Sequence, residues 1–259
     1  MSDSNPIFCM QGKIAVITGA GTGMGKRFSS VLARAGAQVV CVARNLDRLE
    51  TVAAAIREEG GQAIAVAADL TDAAAIEHIF EQAEAHFGQA NVLVNCAAQV
   101  DFGGLFPEQS DEGWDAMVST NLTGAMKLCR SFARRLKASN QSAAIVMVTS
   151  ITGERVMPGL MGYSSLKAAS NHMTKAMARD LFGTGIRVNA LSPGYFDTEL
   201  SSGLFDSEEG RALIQMHPLQ RLGRVEELDG PLLLLASDAS CHMNGSVVTV
   251  DAGHSIGLV

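Results

Sequence analysis

The sequence predicts a doubly wound α/β fold with a seven-stranded parallel sheet. Two observations lead to this prediction: short apolar segments alternate with amphipathic segments along the chain, and no linker rich in Pro, Gly or Ser divides them. Strands separated by helices run parallel when they share a sheet, so both faces of that sheet should be covered. With 47% hydrophobic residues, the chain 1–259 is predicted to form a single domain.

Seven short segments have the composition of buried strands, since they are rich in Val, Ile and Ala. Beta-branched side chains favour strands because they pack well on a pleated surface. In chain order the predicted strands are 13–18, 38–43, 62–68, 91–95, 143–149, 186–191 and 246–250.

Amphipathic segments between these strands predict the covering helices. One spans 26–35, a second over 45–59 is opened by Asn45, and a third over 71–87 is opened by Thr71. The apolar residues predicted to face the sheet are Leu46, Leu49, Val52 and Ile56 in the second helix and Ile76, Ile79, Phe80 and Ala83 in the third.

Composition and charge argue against several classes of protein. A net charge of −7 disfavours a general nucleic-acid or anionic-membrane surface. No apolar run approaches the roughly 18 residues of a membrane span, and the N-terminal residues lack the pattern of a leader. The five cysteines are odd in number and widely spaced, and the six histidines are scattered, so neither disulfides nor a metal site is indicated. A cytoplasmic protein is expected.

A glycine-rich loop lies between the first predicted strand and the first predicted helix. It carries Gly19, Gly23 and Gly25, with Met24 at the last glycine position of the strict G-x-G-x-x-G fingerprint. Glycines let the backbone turn tightly and approach a pyrophosphate, which free N–H groups at a helix start then bind. The loop indicates a dinucleotide site, and a turn without a ligand is the alternative.

Three residues suggest proton transfer to a carbonyl. Lys167 lies four residues after Tyr163, and Ser150 precedes Tyr163 by thirteen residues. An ammonium one helical turn away favours the phenolate, which would bring the tyrosine pKa from about 10 toward neutrality. Such a tyrosine can protonate a carbonyl oxygen while hydride reaches the carbon. The trio indicates reduction of a ketone or oxidation of a secondary alcohol.

Polar or glycine-rich residues follow six successive predicted strands. In parallel sheets these positions share one edge, where ligands bind. Each residue alone could be a cap or a turn. Together they indicate one site; the residues are Gly19, Arg44, Asp69, Asn95, Ser150 and Pro193–Gly194.

These motifs resemble the short-chain dehydrogenase/reductase family over nearly the whole chain. The resemblance implies that Tyr163 is the acid/base, and that Lys167 lowers the tyrosine pKa and holds the nicotinamide ribose. It implies that Ser150 binds the substrate oxygen and that Asn121 anchors a relay water, with a helix kink or cap as the alternative for Asn121. The cofactor-binding residues that it implies are Gly19, Thr22, Gly23, Met24, Gly25, Arg44, Asp69, Leu70, Asn95, Ala97, Tyr163, Lys167, Pro193, Gly194 and Thr198.

Two departures from the family pattern affect the predicted cofactor site. Cys96 and Ala98 replace an amide and a glycine, which can alter the approach of the backbone to the adenine ribose. Thr22 stands where the family often has a basic residue, so one of two common phosphate contacts is missing.

Residues after the second strand predict NADP(H) in preference to NAD(H). A site selective for NAD usually presents a carboxylate there, whereas this chain has Ala43 and Arg44. A guanidinium can bind the 2′-phosphate through paired hydrogen bonds. NAD(H) is the alternative if Arg44 pairs instead with Asp47 at the surface.

The predicted substrate is a free ketone or alcohol rather than an acyl chain on a carrier protein. Gln141 and Thr184 occupy the positions of two carrier-docking arginines in ketoacyl carrier-protein reductases. The basic residues that could compensate are Arg134, Arg135 and Lys137. Resemblance to enoyl reductases would require a wider spacing between the tyrosine and the lysine. A non-catalytic, cofactor-binding regulatory protein is the other alternative, and such relatives usually lose one of these two residues.

Apolar residues predict a substrate pocket under a lid near 195–222, with core or subunit contact as the alternative. They are Tyr195, Phe196, Leu200, Leu204, Phe205 and Met216 in that segment, and Ile151, Met157, Leu160 and Met161 after Ser150. The resemblance also implies a homotetramer or homodimer built from the 112–137 and 161–182 helices.

Overall fold

The computed structural model describes residues 6–137, 141–199, 205 and 207–257. Seven parallel strands of these residues form one sheet in the order β3-β2-β1-β4-β5-β6-β7. The strands are β1 (Ile14–Thr18), β2 (Gln38–Ala43), β3 (Gln62–Ala67), β4 (Val92–Asn95), β5 (Ala143–Val148), β6 (Ile186–Pro193) and β7 (Val247–Val250). The predicted doubly wound α/β fold is confirmed.

Helices cover both faces of this sheet. They are α1 (Gly23–Arg34), α2 (Leu46–Glu58), α3 (Ala73–His86), α4 (Asp111–Met117), α5 (Ala125–Leu136), α6 (Met161–Asp180), α7 (Glu208–Met216) and α8 (Asp229–Ala236). Phe28 of α1 lies in the core on one face, and Phe80 and Phe132 lie in the core on the other. Burial of each such ring contributes about 1.5–3 kcal/mol.

Strand order places the crevice of the sheet between β1 and β4. The chain leaves β1 toward β2 and β3 on one side and returns to β4 on the other. Loops that diverge in opposite directions leave a crevice at this switch point. Thr18 pairs with Val42, and Asn95 pairs with Met147, so the carboxyl ends of four neighbouring strands lie at the same edge.

Two details of the predicted helices are wrong. Asp72 rather than Thr71 caps α3, because the Asp72 carboxylate accepts a hydrogen bond from the Ala74 N–H at 2.8 Å. Leu46 does not face the core: it is 47% exposed, because the first turn of α2 follows the exposed Arg44 and Asn45 at the solvent edge of the sheet.

The region predicted as one helix over 112–137 contains a break. A π-helix, Val118–Gly124, separates α4 from α5. Such segments widen a helix locally and are frequent at functional sites. No helix in the described part of the chain combines the length and the apolar character that a membrane crossing requires.

Candidate active site

A cavity of about 310 Å³ opens at the carboxyl edge of the sheet. It joins six successive strand ends, as the sequence predicted. The predicted residues in its wall are Gly19, Thr22, Gly23, Met24, Gly25, Arg44, Asp69, Leu70, Ala97, Ser150, Tyr163, Lys167, Pro193, Gly194 and Thr198. The predicted Asn95 and Asn121 are not among its lining residues.

The glycine loop forms one wall of the cavity and requires glycine at specific positions. Gly19 and Gly23 have φ of +68° and +50°, in the left-handed region that side chains disfavour. A Cβ at Gly25 would overlap the carbonyl oxygen of Gly19. The loop is therefore closed tightly on itself at the start of α1.

The start of α1 is suited to a phosphate group. The helix begins at Gly23, inside the loop, three residues before the predicted start at residue 26. Thr22 precedes it in extended conformation, and its side chain makes no capping hydrogen bond. The first N–H groups of a helix need partners from outside the helix, and these groups border the cavity. The loop therefore fits the pyrophosphate of a dinucleotide.

Thr18 supports the wall opposite this loop. Its Oγ1 accepts hydrogen bonds from the backbone N–H groups of Cys96 and Ala97, each at 3.1 Å, and donates to the Asn95 side chain at 3.2 Å. A Cβ at Gly19 would lie 3.1 Å from the Ala97 backbone, so the two loops approach closely. Sequence reasoning did not predict Thr18 as a site residue.

Asn95 supports the cavity from below, rather than lining it. Its side chain is buried, and its Oδ1 accepts a hydrogen bond from the Thr18 hydroxyl. Its Nδ2 lies 3.7 Å from the Met147 sulfur. The Asn95 side chain therefore points into the sheet and does not line the cavity, and direct cofactor contact by Asn95 stays a prediction. The structure places the neighbouring Cys96, Ala97 and Ala98 at the cavity instead.

Charged residues border the cavity beyond β2 and β3. The Asp69 carboxylate accepts hydrogen bonds from the Thr71 N–H at 2.9 Å and hydroxyl at 2.8 Å, which lower the pKa of Asp69; burial opposes them and the nearby Arg44 charge assists. Arg44 itself lines the cavity. Among the ion pairs of the described residues, none joins Arg44 to Asp47.

Arg48 is a second cation near the glycine loop, and sequence reasoning missed it. A Cβ built at Gly21 would lie 3.5 Å from the Cβ of Arg48. The first turn of α2 places Arg48 there, since Asn45 accepts the Arg48 N–H at 3.0 Å as the helix cap. Arg48 follows Arg44 by four residues, and this spacing is the sequence feature that could have indicated a second cation near the site.

Tyr163, Lys167 and Ser150 converge where β5 ends and α6 begins. The Lys167 Nζ lies 5.3 Å from the Tyr163 ring centroid and donates to the Val148 carbonyl at 2.9 Å. Ser150 and Tyr163 line the same cavity, and the Ser150 side chain acts to lower the pKa of Tyr163. The hydrogen bond from Lys167 to the Val148 carbonyl of β5 fixes the lysine ammonium beside the tyrosine ring.

Burial has the largest effect on the pKa values of Tyr163 and Lys167. It raises the pKa of Tyr163 above its ordinary value, with the nearby Cys96 thiol acting in the same direction and the Ser150 hydrogen bond opposing. Burial also lowers the pKa of Lys167 to about 8. The expectation that Lys167 brings the Tyr163 pKa toward neutrality is wrong here, because burial of the phenol disfavours the phenolate and raises its pKa. Tyr163 is therefore a protonated phenol at neutral pH.

Asn121 lies in the π-helix between α4 and α5, behind the cavity wall. Its side-chain oxygen accepts the Gln99 N–H, and its amide donates to the Gln99 carbonyl, both at 2.7 Å. Asn121 thus lies within a helix irregularity, and its role as the anchor of a relay water stays a prediction. Through these bonds Asn121 holds the backbone of Gln99, a lining residue that the sequence did not identify.

The segment after β6 packs over the loop that follows Ser150. The Tyr195 hydroxyl lies 3.3 Å from the Met157 sulfur, and the Tyr195 ring packs on Phe205 at 5.6 Å. Phe196 is buried. Met216 is 57% exposed, so it does not belong to the core. Leu200 and Leu204 lie outside the described residues.

Comparison with known proteins extends over nearly the whole chain. The sequence profile of the family described as Enoyl-(Acyl carrier protein) reductase matches residues 19–255. Gluconate 5-dehydrogenase of Gluconobacter oxydans (strain 621H) is 34% identical over 97% of this chain and 98% of that protein. A 3-oxoacyl-(acyl-carrier-protein) reductase of Thermotoga maritima is 31% identical over 94% of this chain and 98% of that protein.

Solved structures of dehydrogenases also match this chain over nearly its whole length. A short-chain type dehydrogenase/reductase from Mycobacterium marinum is 36% identical, with a TM-score of 0.91 over 97% of this chain and 98% of that one. A gluconate 5-dehydrogenase from Burkholderia cenocepacia J2315, in complex with NADP and tartrate, is 32% identical, with a TM-score of 0.92 over the same shares. The chain thus belongs to the short-chain dehydrogenase/reductase family and is an oxidoreductase acting on CH–OH or C=O groups.

Proposed function

We propose that this protein is an NADP(H)-dependent enzyme that interconverts a free small or medium ketone and the corresponding secondary alcohol. The observation that carries the proposal is that Ser150, Tyr163 and Lys167 line the same cavity as the glycine loop. A bound nicotinamide dinucleotide supplies or accepts the hydride, and residues of this chain hold and move the proton.

The proton moves at the hydroxyl of Tyr163. In the reducing direction this phenol, kept protonated by burial, donates its proton to the substrate oxygen. Ser150 donates a hydrogen bond to the same oxygen and stabilises the charge that develops there. Lys167 holds the nicotinamide ribose, and Asn121 supports a relay water through the π-helix.

The remaining cavity residues hold the cofactor. Gly19–Gly25 would hold the pyrophosphate, Asp69 and Leu70 would hold the adenine half, and Ala97, Pro193, Gly194 and Thr198 would hold the nicotinamide half. Residues 1–259 act as one dinucleotide-binding and catalytic domain. The segment 195–222 acts as a substrate lid, and the contact between Tyr195 and Met157 supports that role.

A cytoplasmic location and a homotetramer or homodimer built from the 112–137 and 161–182 helices stay predictions. Analytical ultracentrifugation measures the oligomeric state.

The preference for NADP(H) rests on the cations at the end of β2. Arg44 lines the cavity where a carboxylate would otherwise repel the 2′-phosphate, and Arg48 lies beside the glycine loop. Arg48 also offers the positive charge that Thr22 does not supply. The Burkholderia relative, whose structure contains NADP, supports the same choice.

Arg44→Ala is expected to lower the preference for NADPH over NADH by roughly 10–150-fold in kcat/KM, because hydrogen bonds to a charged phosphate are lost. The measurement is kcat/KM with both cofactors. Arg34→Ala is the matched control, since Arg34 pairs with Glu59 away from the cavity, and its cofactor ratio should not change. A native preference for NADH, or an unchanged ratio in Arg44→Ala, would remove Arg44 as the phosphate ligand.

A free ketone is favoured over a carrier-bound chain because neither carrier-docking position holds a cation: they are occupied by Gln141 and Thr184. Thr184 at one docking position donates its hydroxyl to the Leu181 carbonyl at 2.7 Å. Arg135, a possible substitute, is already paired with Glu77 and Glu84 at 2.8 Å each. The second candidate function is 3-oxoacyl-(acyl-carrier-protein) reduction, which the Thermotoga relative favours.

The two functions differ in their response to a carrier protein. Free ketones, including polyol-derived ones, should be reduced at least as well as a ketoacyl chain on a carrier at equal concentration. Steady-state rates of NADPH consumption measure both. A large preference for the carrier-bound chain would replace the first function with the second. Enoyl reduction, named in the family description, is tested in the same panel with an enoyl thioester, and no turnover is expected.

A further inference from the structure

Thr152 contacts the Ser150 hydroxyl through two groups. Ser150 begins a short 3-10 helix, Ile151–Gly153. The Thr152 N–H lies 3.2 Å from Ser150 Oγ, and the Thr152 hydroxyl lies 3.0 Å from the same atom. Thr152 is buried, at 8% exposure. Its hydroxyl therefore has little access to water and is satisfied by Ser150.

These two contacts determine which way the Ser150 proton points. A hydroxyl oxygen has two acceptor lone pairs and one proton. When the N–H and O–H of Thr152 fill both lone pairs, Ser150 can act toward other partners only as a donor. Tyr163 is the neighbouring group in the same cavity, and the Ser150 side chain acts to lower the pKa of Tyr163. Both contacts from Thr152 thus leave the Ser150 proton for Tyr163 and for a substrate oxygen in this cavity.

The backbone holds Thr152 in this position. The N–H groups of Glu154 and Arg155 both bond the Ile151 carbonyl, at 3.0 and 2.9 Å, and close the turn. Gly153 rests on α6, where an added Cβ would lie 2.8 Å from the Lys167 carbonyl carbon. The turn that carries Thr152 is thereby pressed against the helix that carries Tyr163.

We propose that Thr152 is a positioning residue that fixes the Ser150 hydroxyl as a hydrogen-bond donor toward Tyr163 and the substrate oxygen. The inference rests on the proposed function of this site. No bond at Thr152 is made or broken in the reaction. Without its hydroxyl, one lone pair of Ser150 is free, and the Ser150 proton can turn away from Tyr163.

The kinetic test compares variants with and without the hydroxyl. Thr152→Val and Thr152→Ala should lower kcat about 3- to 10-fold, the size expected for one hydrogen bond, with little change in the KM for NADPH. The Ser150 bond favours the phenolate, so its weakening should move the pH profile of alcohol oxidation to higher pH. Thr152→Ser should restore both kcat and the pH profile of alcohol oxidation. If Thr152→Ser is as impaired as Thr152→Val, the role is packing and the proposal fails.

A double-mutant cycle separates positioning from a general structural effect. In a Ser150→Ala background, Thr152→Val should cause no further loss of kcat, because it acts through the absent hydroxyl. An additive further loss would overturn the proposal.

A spectroscopic test does not depend on turnover. The chain has two tyrosines, so the ¹³Cζ signals of labelled protein are assigned with Tyr195→Phe. At neutral pH without cofactor, the Tyr163 signal should shift in Thr152→Val and Thr152→Ala and return in Thr152→Ser. An unmoved signal contradicts the inference. Absence of any ketone turnover in the native enzyme contradicts the proposed function instead, and the two failures are therefore distinguishable.

Discussion

Tyr163→Phe is expected to retain NADPH affinity and to lose about 10²- to 10⁴-fold in turnover. The substitution keeps the ring that packs against Lys167 but removes the proton that Tyr163 donates to the substrate oxygen in the proposed mechanism. Cofactor affinity is measured by fluorescence titration, and turnover is measured by single-turnover reduction of a ketone. The two measurements together separate a chemical defect from a binding defect.

Tyr195→Phe is the matched control, because it removes the other tyrosine hydroxyl of the chain. That hydroxyl contacts the Met157 sulfur rather than the catalytic trio, so turnover should change far less. Near-native turnover in Tyr163→Phe would exclude Tyr163 as the proton donor, and equal losses in both variants would indicate a general effect on packing.

Gly25→Ala is expected to weaken NADPH binding by roughly 10–150-fold, the size of one lost hydrogen bond to the charged pyrophosphate. The new methyl group would overlap the Gly19 carbonyl oxygen, which belongs to the backbone and cannot move without opening the loop. Thermal unfolding should show a destabilisation of about 1–3 kcal/mol as well, the usual cost of overpacking.

Gly21→Ala provides the control within the same loop. A Cβ at Gly21 would make ordinary contacts, 3.5 Å from the Arg48 Cβ and 3.8 Å from the Ala43 Cβ. NADPH binding and stability should therefore stay close to those of the native protein. If Gly25→Ala binds NADPH as tightly as Gly21→Ala, then close approach of the backbone at Gly25 is not required for the cofactor site.

The sheet could be predicted from sequence because its strands are buried on both faces and therefore appear as short apolar runs. The predicted strand 38–43 coincides with β2. Helix ends were less accurate, because Thr71 and Asp72 are both plausible caps and only three-dimensional geometry shows that Thr71 instead bonds Asp69. The π-helix over Val118–Gly124 has no periodic signal of its own.

The site could be predicted in part. Strand ends identify the shared edge, so residues such as Arg44 and Ser150 could be placed at the cavity before the structure was known. Side-chain direction could not be predicted: Asn95 ends β4 but points inward to Thr18. The burial of Tyr163 also depends on tertiary packing, which is why the direction of the Tyr163 pKa shift was wrong.

The most direct test of the central claim is transfer of deuterium from NADPH labelled at C4 of the nicotinamide to a ketone. The native enzyme is incubated with each C4-labelled stereoisomer and a ketone panel, and the products are analysed by mass spectrometry. We predict that one stereoisomer yields an alcohol with a single deuterium at the carbinol carbon, and that Tyr163→Phe forms this product at least about 100-fold more slowly. Cofactor binding without deuterium in any product would contradict the account and would favour a non-catalytic, cofactor-binding protein.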